Sequence, residues 1–275
     1  GMGHHHTCAI LDDGSLMCWG SDHDGRIGNG IEDTDPQYTP ISIGIPDDRN
    51  AISVDAGHTN TCVLFDDGGI MCWGKDHVGQ NGDAGSTSTA HSPGSNVALP
   101  EGRSAIDLSV GAYHSCAVLD NFSITCWGWN EYGQIGDNST THAHSPVFVQ
   151  LPNGSKAIDV DAGEHHTCAV LENGSVNCWG WNKFKQVSGS DWKILTPQHV
   201  DETNSFVHVI AAARHTCALA GNGTISCWGE NGNGQLGIGS THDKNQAHQL
   251  DWSAAPFASL SGPAPIGTWA ESSPM

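Results

Sequence analysis

Residues Ala157 to Gly163 alternate apolar and polar side chains, Ala-Ile-Asp-Val-Asp-Ala-Gly, with the period of two that marks a strand. A second run, His166-Thr167-Cys168-Ala169-Val170-Leu171, leads into the turn signal Glu172-Asn173-Gly174. A third strand is expected over Ser175-Val176-Asn177-Cys178-Trp179-Gly180. A Gly- and Asn-rich loop follows, then a short edge strand near Pro197-Gln198-His199-Val200. No helical period interrupts this order, and it recurs along the chain in units near 3–50, 51–104, 105–156, 157–205 and 206–250. Unit one lacks the first strand, since little precedes Gly3.

Cysteine spacing fixes the register of the central hairpin. Cys8 and Cys18, Cys62 and Cys72, Cys116 and Cys126, Cys168 and Cys178, and Cys217 and Cys227 form pairs ten residues apart that use all ten cysteines. The second cysteine of each pair is followed by Trp-Gly, at Trp19, Trp73, Trp127, Trp179 and Trp228. If Cys168 faces Cys178, the loop between them holds an odd number of residues. A three-residue loop with glycine in its last, left-handed position satisfies this, and Gly174 stands there. Gly14, Gly68 and Gly223 match it, whereas unit three has Phe122. Facing strand positions bring Cβ atoms within ~4.5–5.5 Å, so each pair is expected to form a disulfide, which implies an oxidising compartment. Zinc, with the histidine two residues before each first cysteine as a further ligand, and packed reduced thiols are the competing readings. Structural zinc prefers closer Cys-x₂₋₄-Cys spacings.

Four strands per repeat of about fifty residues predict an all-β β-propeller, with five four-stranded blades and one disulfide per blade. The motifs His215-Thr216-Cys217-Ala218, Gly223, Cys227-Trp228-Gly229 and Gly234-Gln235-Leu236-Gly237 resemble the regulator of chromosome condensation repeat, in its cysteine-bearing secreted or surface variant. The resemblance covers roughly residues 3 to 250. Family members often have seven blades, against five copies here. Phe257-Ala258-Ser259-Leu260-Ser261 is similar to the first strand of unit five, Phe206-Val207-His208-Val209-Ile210. Residues 257–261 are therefore expected to supply the strand missing from unit one and close a five-bladed ring within a domain of residues 1–262. A piece of a longer propeller is the other reading. Residues 263–275, rich in Pro, Ala and Ser, read as a flexible tail.

Charge narrows the partners. With 10 Lys+Arg against 30 Asp+Glu, the net charge is −20. No basic stripe is present to neutralise phosphates, so nucleic acid is not an expected partner, and an anionic membrane surface is disfavoured for the same reason. No apolar run approaches the ~20 residues of a membrane span, and no signal peptide is visible. The chain enters its first repeat almost at once, so it is expected to be a processed mature chain or a fragment. His4, His5 and His6 read as native, because Gly163-Glu164-His165-His166-Thr167-Cys168 repeats their context.

Several constellations read as scaffold. His6, His114, His166 and His215, with Asn60 in unit two, are expected to hydrogen-bond within their own blades rather than form a metal ring. Asp22-His23-Asp24-Gly25 begins like a calcium loop but lacks the alternating oxygen ligands and the glutamate at the twelfth position. Among the Asn-x-Ser/Thr sequences, Asn173 and Asn222 precede hairpin glycines, which leaves Asn138 as the glycosylation candidate.

Departures from the repeat carry more. After Cys-Trp-Gly, units one, two and five have Ser21, Lys75 and Glu230, whereas units three and four have Trp129 and Trp181. These precede Asn130-Glu131-Tyr132 and Asn182-Lys183-Phe184. Unit four also replaces Gly-Gln-x-Gly by Lys185-Gln186-Val187-Ser188 and adds Trp192, so its loop is expected to be reshaped. Trp129, Tyr132, Trp181, Phe184 and Trp192 are thus the candidate binding residues, with inter-blade packing as the competing reading. The expected function is a non-enzymatic, secreted or surface binding or assembly module. Its partner would be a protein, a glycan or copies of itself, and neither cofactor nor metal is expected. A secreted inhibitor or lectin-like binder, a nucleotide-exchange factor for a small GTPase (the activity of the family's namesake) and an enzyme with an unrecognised site are the alternatives.

Overall fold

A computed structural model describes residues 1–31, 35–85, 89–200 and 205–250. The strand at 257–261 and the tail at 263–275 lie outside the described residues. Within them the repeat becomes five antiparallel blades. Blade one contains β1 (His6–Ile10), β2 (Leu16–Gly20) and β3 (Gln37–Ile43), and blade two contains β4 (Ala51–Ala56), β5 (Asn60–Phe65) and β6 (Ile70–Gly74). Blade three contains β7 (Ala105–Val110), β8 (His114–Leu119), β9 (Ile124–Gly128) and β10 (Ala143–Phe148). Blade four contains β11 (Ala157–Ala162), β12 (His166–Leu171), β13 (Val176–Trp181) and β14 (Lys193–His199). Blade five contains β15 (Phe206–Ala211), β16 (His215–Ala220), β17 (Ile225–Gly229) and β18 (Lys244–Gln249).

Every blade has four strand positions, but one position in each of blades one and two is held by isolated bridges rather than a strand. In blade one Met2 pairs with Thr7, and the Gly1 carbonyl accepts the Cys8 N–H at 3.0 Å, where the first strand of the other blades would lie. In blade two the outer position is held by the bridges Gly74–Ala90 and Met71–Asn96.

The central hairpins have the expected register. Cys168 faces Cys178, the Leu171 N–H donates to Ser175 O at 2.9 Å, and Gly174 adopts φ +79°. All five cysteine pairs are disulfides, each within its own blade and with Cα atoms 4.1 Å apart. Cys8 is bonded to Cys18, Cys62 to Cys72 and Cys116 to Cys126. Cys168 is bonded to Cys178 and Cys217 to Cys227, so neither the zinc nor the free-thiol reading holds. Closing a loop of this length contributes roughly 2–3 kcal/mol on the chain-entropy model.

Apolar side chains from successive blades interdigitate into three clusters, joining blades one to two, two to four and four to five. A repeated polar latch runs through these interfaces. The Trp73, Trp127, Trp179 and Trp228 indoles are fully buried, and each Nε1–H donates to a loop carbonyl of the preceding blade. The acceptors are Arg26 at 3.1 Å, Gln80 at 3.0 Å, Gln134 at 2.7 Å and Gln186 at 2.9 Å. The Thr61, Thr167 and Thr216 hydroxyls donate to three of the same carbonyls.

Three of the histidines correct a sequence expectation, because their bonds cross between blades. His6, His114 and His166 bond through Nε2 to Thr61, Thr167 and Thr216 of the following blade, at 2.7, 2.8 and 2.9 Å. Since each threonine spends its proton on a carbonyl, the histidine Nε2 is the donor and the ring is neutral. Burial holds all three pKa values down to about 3. Asn60 takes this position in blade two and keeps to its own blade, its Nδ2 4.0 Å from Cys62 Sγ, while Ser115 of blade three, in the place of the threonine, lies 3.8 Å from the same sulfur.

Candidate functional site

Hairpin register sets two variable side chains next to each other at the same end of every blade. The backbone N–H of the residue after Cys-Trp-Gly donates to the carbonyl of the residue before the second strand position. These pairs are Ser21 to His5, Lys75 to Thr59, Trp129 to Tyr113, Trp181 to His165 and Glu230 to Arg214, at 2.8–3.0 Å. A third variable position follows in the loop, held by a fixed frame. In blade three Asn130 Oδ1 accepts the Ile135 N–H and Gln134 Oε1 accepts the Tyr132 N–H, both at 2.9 Å. In blade four Asn182 Oδ1 accepts the Val187 N–H at 3.0 Å and Gln186 Oε1 accepts the Phe184 N–H at 2.9 Å.

The blade-four loop is therefore less altered than its sequence implies. Lys185 adopts φ +67°, the left-handed conformation that glycine supplies in the sister loops at Gly133 and Gly234, and Gln186 keeps both its side-chain and its carbonyl contacts. What changes is the excursion after it. Asn182 Nδ2 donates to the carbonyls of Ser188 and Asp191 at 3.1 and 2.9 Å, pinning the segment that carries Trp192.

All five candidate residues come together. Ring centroids of Trp129 and Tyr132 are 5.3 Å apart, those of Tyr132 and Trp181 5.8 Å and stacked, those of Trp181 and Phe184 5.3 Å, and those of Tyr132 and Trp192 6.1 Å. Three further rings that the sequence pattern did not single out extend the band. Tyr113 lies 5.7 Å from Trp129, His165 lies 5.0 Å from Trp129 and 5.4 Å from Trp181, and His58 lies 5.3 Å from Tyr113. Tyr113 and His165 occupy the position three residues before each first cysteine. That position was detectable as variable in the sequence, but only the register pairs it with Trp129 and Trp181. Most contacts are edge-to-face, the geometry in which a positive ring edge meets a negative face.

Trp129, Tyr132, Trp181 and Phe184 are half-buried, since the rings cover one another within blades three and four and across their boundary, while Trp192 is 56% exposed. Packing and surface presentation are thus both properties of the same rings. Three cations lean on them: Arg214 and Lys183 over Phe184 at 5.0 and 5.7 Å, and Lys193 over Trp192 at 5.0 Å. His165 and His58 have pKa values pushed down by burial, with nearby Glu164 opposing the shift in both.

The acidic inner strands are structural by their contacts. Asp55 Oδ2 accepts the Val110 N–H at 2.8 Å, Asp159 Oδ2 accepts that of Val209 at 2.7 Å and Asp161 Oδ2 accepts that of Ala211 at 2.6 Å, each from the next blade. Burial raises the Asp161 pKa to about 6. The residues that begin like a calcium loop are likewise engaged: Asp22 Oδ1 accepts the Ile27 N–H, and Asp24 lies 3.4 Å from Arg26. Asn173 and Asn222 cap their hairpins through Oδ1, while Asn138 is exposed.

Residues 1–262 match the model of the RCC1-like domain. The chain is 29% identical over 246 residues to the ultraviolet-B receptor UVR8 of Arabidopsis thaliana, covering 88% of this chain and 55% of that protein. Human WBSCR16 superposes with a TM-score of 0.82 at 20% identity, over 90% of this chain and 65% of that one. Yeast RCC1 (Prp20), in its complex with Kap60, superposes with a TM-score of 0.79 at 19% identity, over 91% of this chain and 60% of that one. The chain thus spans a little over half of the length of these relatives.

Proposed function

The chain belongs to the RCC1-like domain family, and from that premise we propose that it is a non-enzymatic protein-binding module, secreted or displayed at a cell surface, that docks its partner on the aromatic loop face. The observation that carries this is the continuous band of rings from blades three and four, ending in exposed Trp192. Aromatic side chains present large contact area at low entropy cost and dominate protein interfaces. Prp20, a relative in fold, was crystallised bound to the protein Kap60 and studied for binding Gsp1p and histones, which supports protein partners for this architecture. The oxidising compartment rests on all ten cysteines being paired. Asn138 is the proposed glycan attachment site.

Capture on the immobilised chain from its source tests the reading. Wild type should retain a protein partner, and Trp181→Ala or Trp192→Ala should weaken retention by roughly 2 kcal/mol or more. Trp192→Ala, at an exposed ring, should leave the melting temperature nearly unchanged. Retention of glycans instead of a protein would make the module lectin-like, and retention of further copies of the chain would make it an assembly unit. Unaltered binding by stable variants would remove this face from consideration.

A further inference from the structure

The aromatic loops collect cations that are scarce in the rest of the molecule. The chain holds 10 Lys+Arg against 30 Asp+Glu, and five of those cations, Lys75, Lys183, Lys185, Lys193 and Arg214, stand in or beside the aromatic loops. The blade-four stretch from Trp181 to Lys193 has three lysines and a single carboxylate, Asp191. In a protein with three carboxylates per cation, chance would pair these lysines with acids. Yet among the described residues none of the three makes an ion pair: Lys183 and Lys193 lie over rings, and Lys185 Nζ donates to the Ser190 carbonyl at 3.3 Å. The acidic groups facing them are partly engaged. Glu164 lies 3.5 Å from His165, and Glu230 3.6 Å from Arg214, which leaves Glu131 exposed at the edge of the band. Lys75, whose Nζ lies 3.9 Å from an Asp24 carboxylate oxygen, lines a cleft with Thr59, His77, Val78, Tyr113 and Trp129 on the blade-two side of the band.

We propose that this face takes an extended acidic segment of a protein partner, whose carboxylates pair with Lys183, Lys193 and Arg214 while its apolar or aromatic side chains lie on Trp181, Phe184 and Trp192. The inference deepens the protein-binding function proposed above and rests on it. Arg and Lys stacked on rings keep their outward N–H donors available for carboxylates, and the rings supply the apolar contact. The negative field elsewhere repels an acidic ligand, so the blade-four loop is the place on the described surface where such a segment gains rather than loses Coulomb energy. That gain acts over about 8 Å at physiological salt and fades as salt rises.

The probes are three labelled peptides of alternating Glu and Phe, Lys and Phe, and Ser and Phe, titrated into the whole chain by fluorescence anisotropy. The Glu–Phe peptide should bind most tightly, weaken with added salt, and lose roughly tenfold or more in affinity to Lys183→Glu combined with Lys193→Glu. Lys183→Gln with Lys193→Gln, at partly or fully exposed positions, should fall in between and checks that folding is intact. Equal or tighter binding of the Lys–Phe peptide, failure of the Glu–Phe peptide to bind, or indifference to charge reversal overturns the inference. Polygalacturonate binding where the Glu–Phe peptide does not bind would overturn it in favour of an acidic glycan. If Trp181→Ala abolishes binding of all three peptides while charge reversal changes nothing, the acidic partner falls and the binding face stands. If neither kind of variant matters, both fall.

Discussion

Phe122 stands where four sister hairpins carry glycine, and its backbone adopts the same left-handed conformation, φ +66° against +78° to +86° for Gly14, Gly68, Gly174 and Gly223. A β-carbon there costs about 1–2 kcal/mol. The ring returns little, being partly exposed with only the Lys156 ammonium 5.4 Å above it. Phe122→Gly should therefore stabilise the protein by about 0.5–1 kcal/mol after the extra entropy of glycine in the unfolded chain is subtracted. Chemical denaturation measures this directly, and a destabilised variant would mean that the ring packs more than its exposure shows. The same residue-level reading applies to Lys185, another left-handed residue at a repeat glycine position. It keeps the loop frame of its sisters while its ammonium donates to the Ser190 carbonyl.

Blades are joined by elements that titrate. His6, His114 and His166 are neutral donors between blades, with pKa values lowered from the ordinary 6.5 to about 3 by burial. A lowered histidine pKa means that the unfolded chain binds more protons, so this stability is present above pH 6.5 and is lost as pH falls from there toward 3. Asp161 and Asp76 act in the opposite sense. Burial raises both to about 6, and their cost is relieved as pH falls from 6 toward 3.8. Burial also raises Asp55 and Asp107, but it lowers His58, His77, His142, His165 and His215 too, so lowered histidines outnumber raised carboxylates and the melting temperature should drop between pH 7 and pH 5. His114→Asn combined with Thr167→Ser copies the Asn60–Ser115 interface of blades two and three, and should flatten that dependence. A melting temperature that rises on acidification would contradict neutral latch histidines.

At the scale of the whole molecule, the latch leaves two unmatched ends. In blade one Trp19 is half-buried and, among the described residues, makes no bond to a preceding blade. On blade five Ile210 is 54% exposed and Leu219 38%, where the equivalent inner-sheet residues of blades three and four face a neighbour. No apolar cluster of the described residues joins blade five to blade one. We propose that residues 257–261, which lie outside the described residues, continue the first-strand position of blade one, of which the described residues hold one end with Gly1 and Met2. Deleting residues 252–275 should then expose the edge of β1, lower the melting temperature and promote aggregation. An unchanged melting temperature would exclude closure by this segment.

The period of fifty residues, the strand alternation and the Cys-x₉-Cys-Trp-Gly register were enough to place every hairpin and every disulfide, because these depend on neighbours close in the chain. They also singled out Trp129, Tyr132, Trp181, Phe184 and Trp192 as departures that a scaffold does not require. Tertiary structure decided what lies across a blade boundary. That three histidines bond to the next blade depends on contacts about fifty residues apart, and that Tyr113, His165 and Arg214 complete the aromatic face depends on contacts across hairpins and blade boundaries that no strand pattern reports. The alternation of a strand reports which face is buried and is silent on which blade buries it. The same holds for the candidate tryptophans. Composition marks them as unusual, but only the packing of one blade against the next makes each ring half-covered by its neighbour and half-presented to a partner.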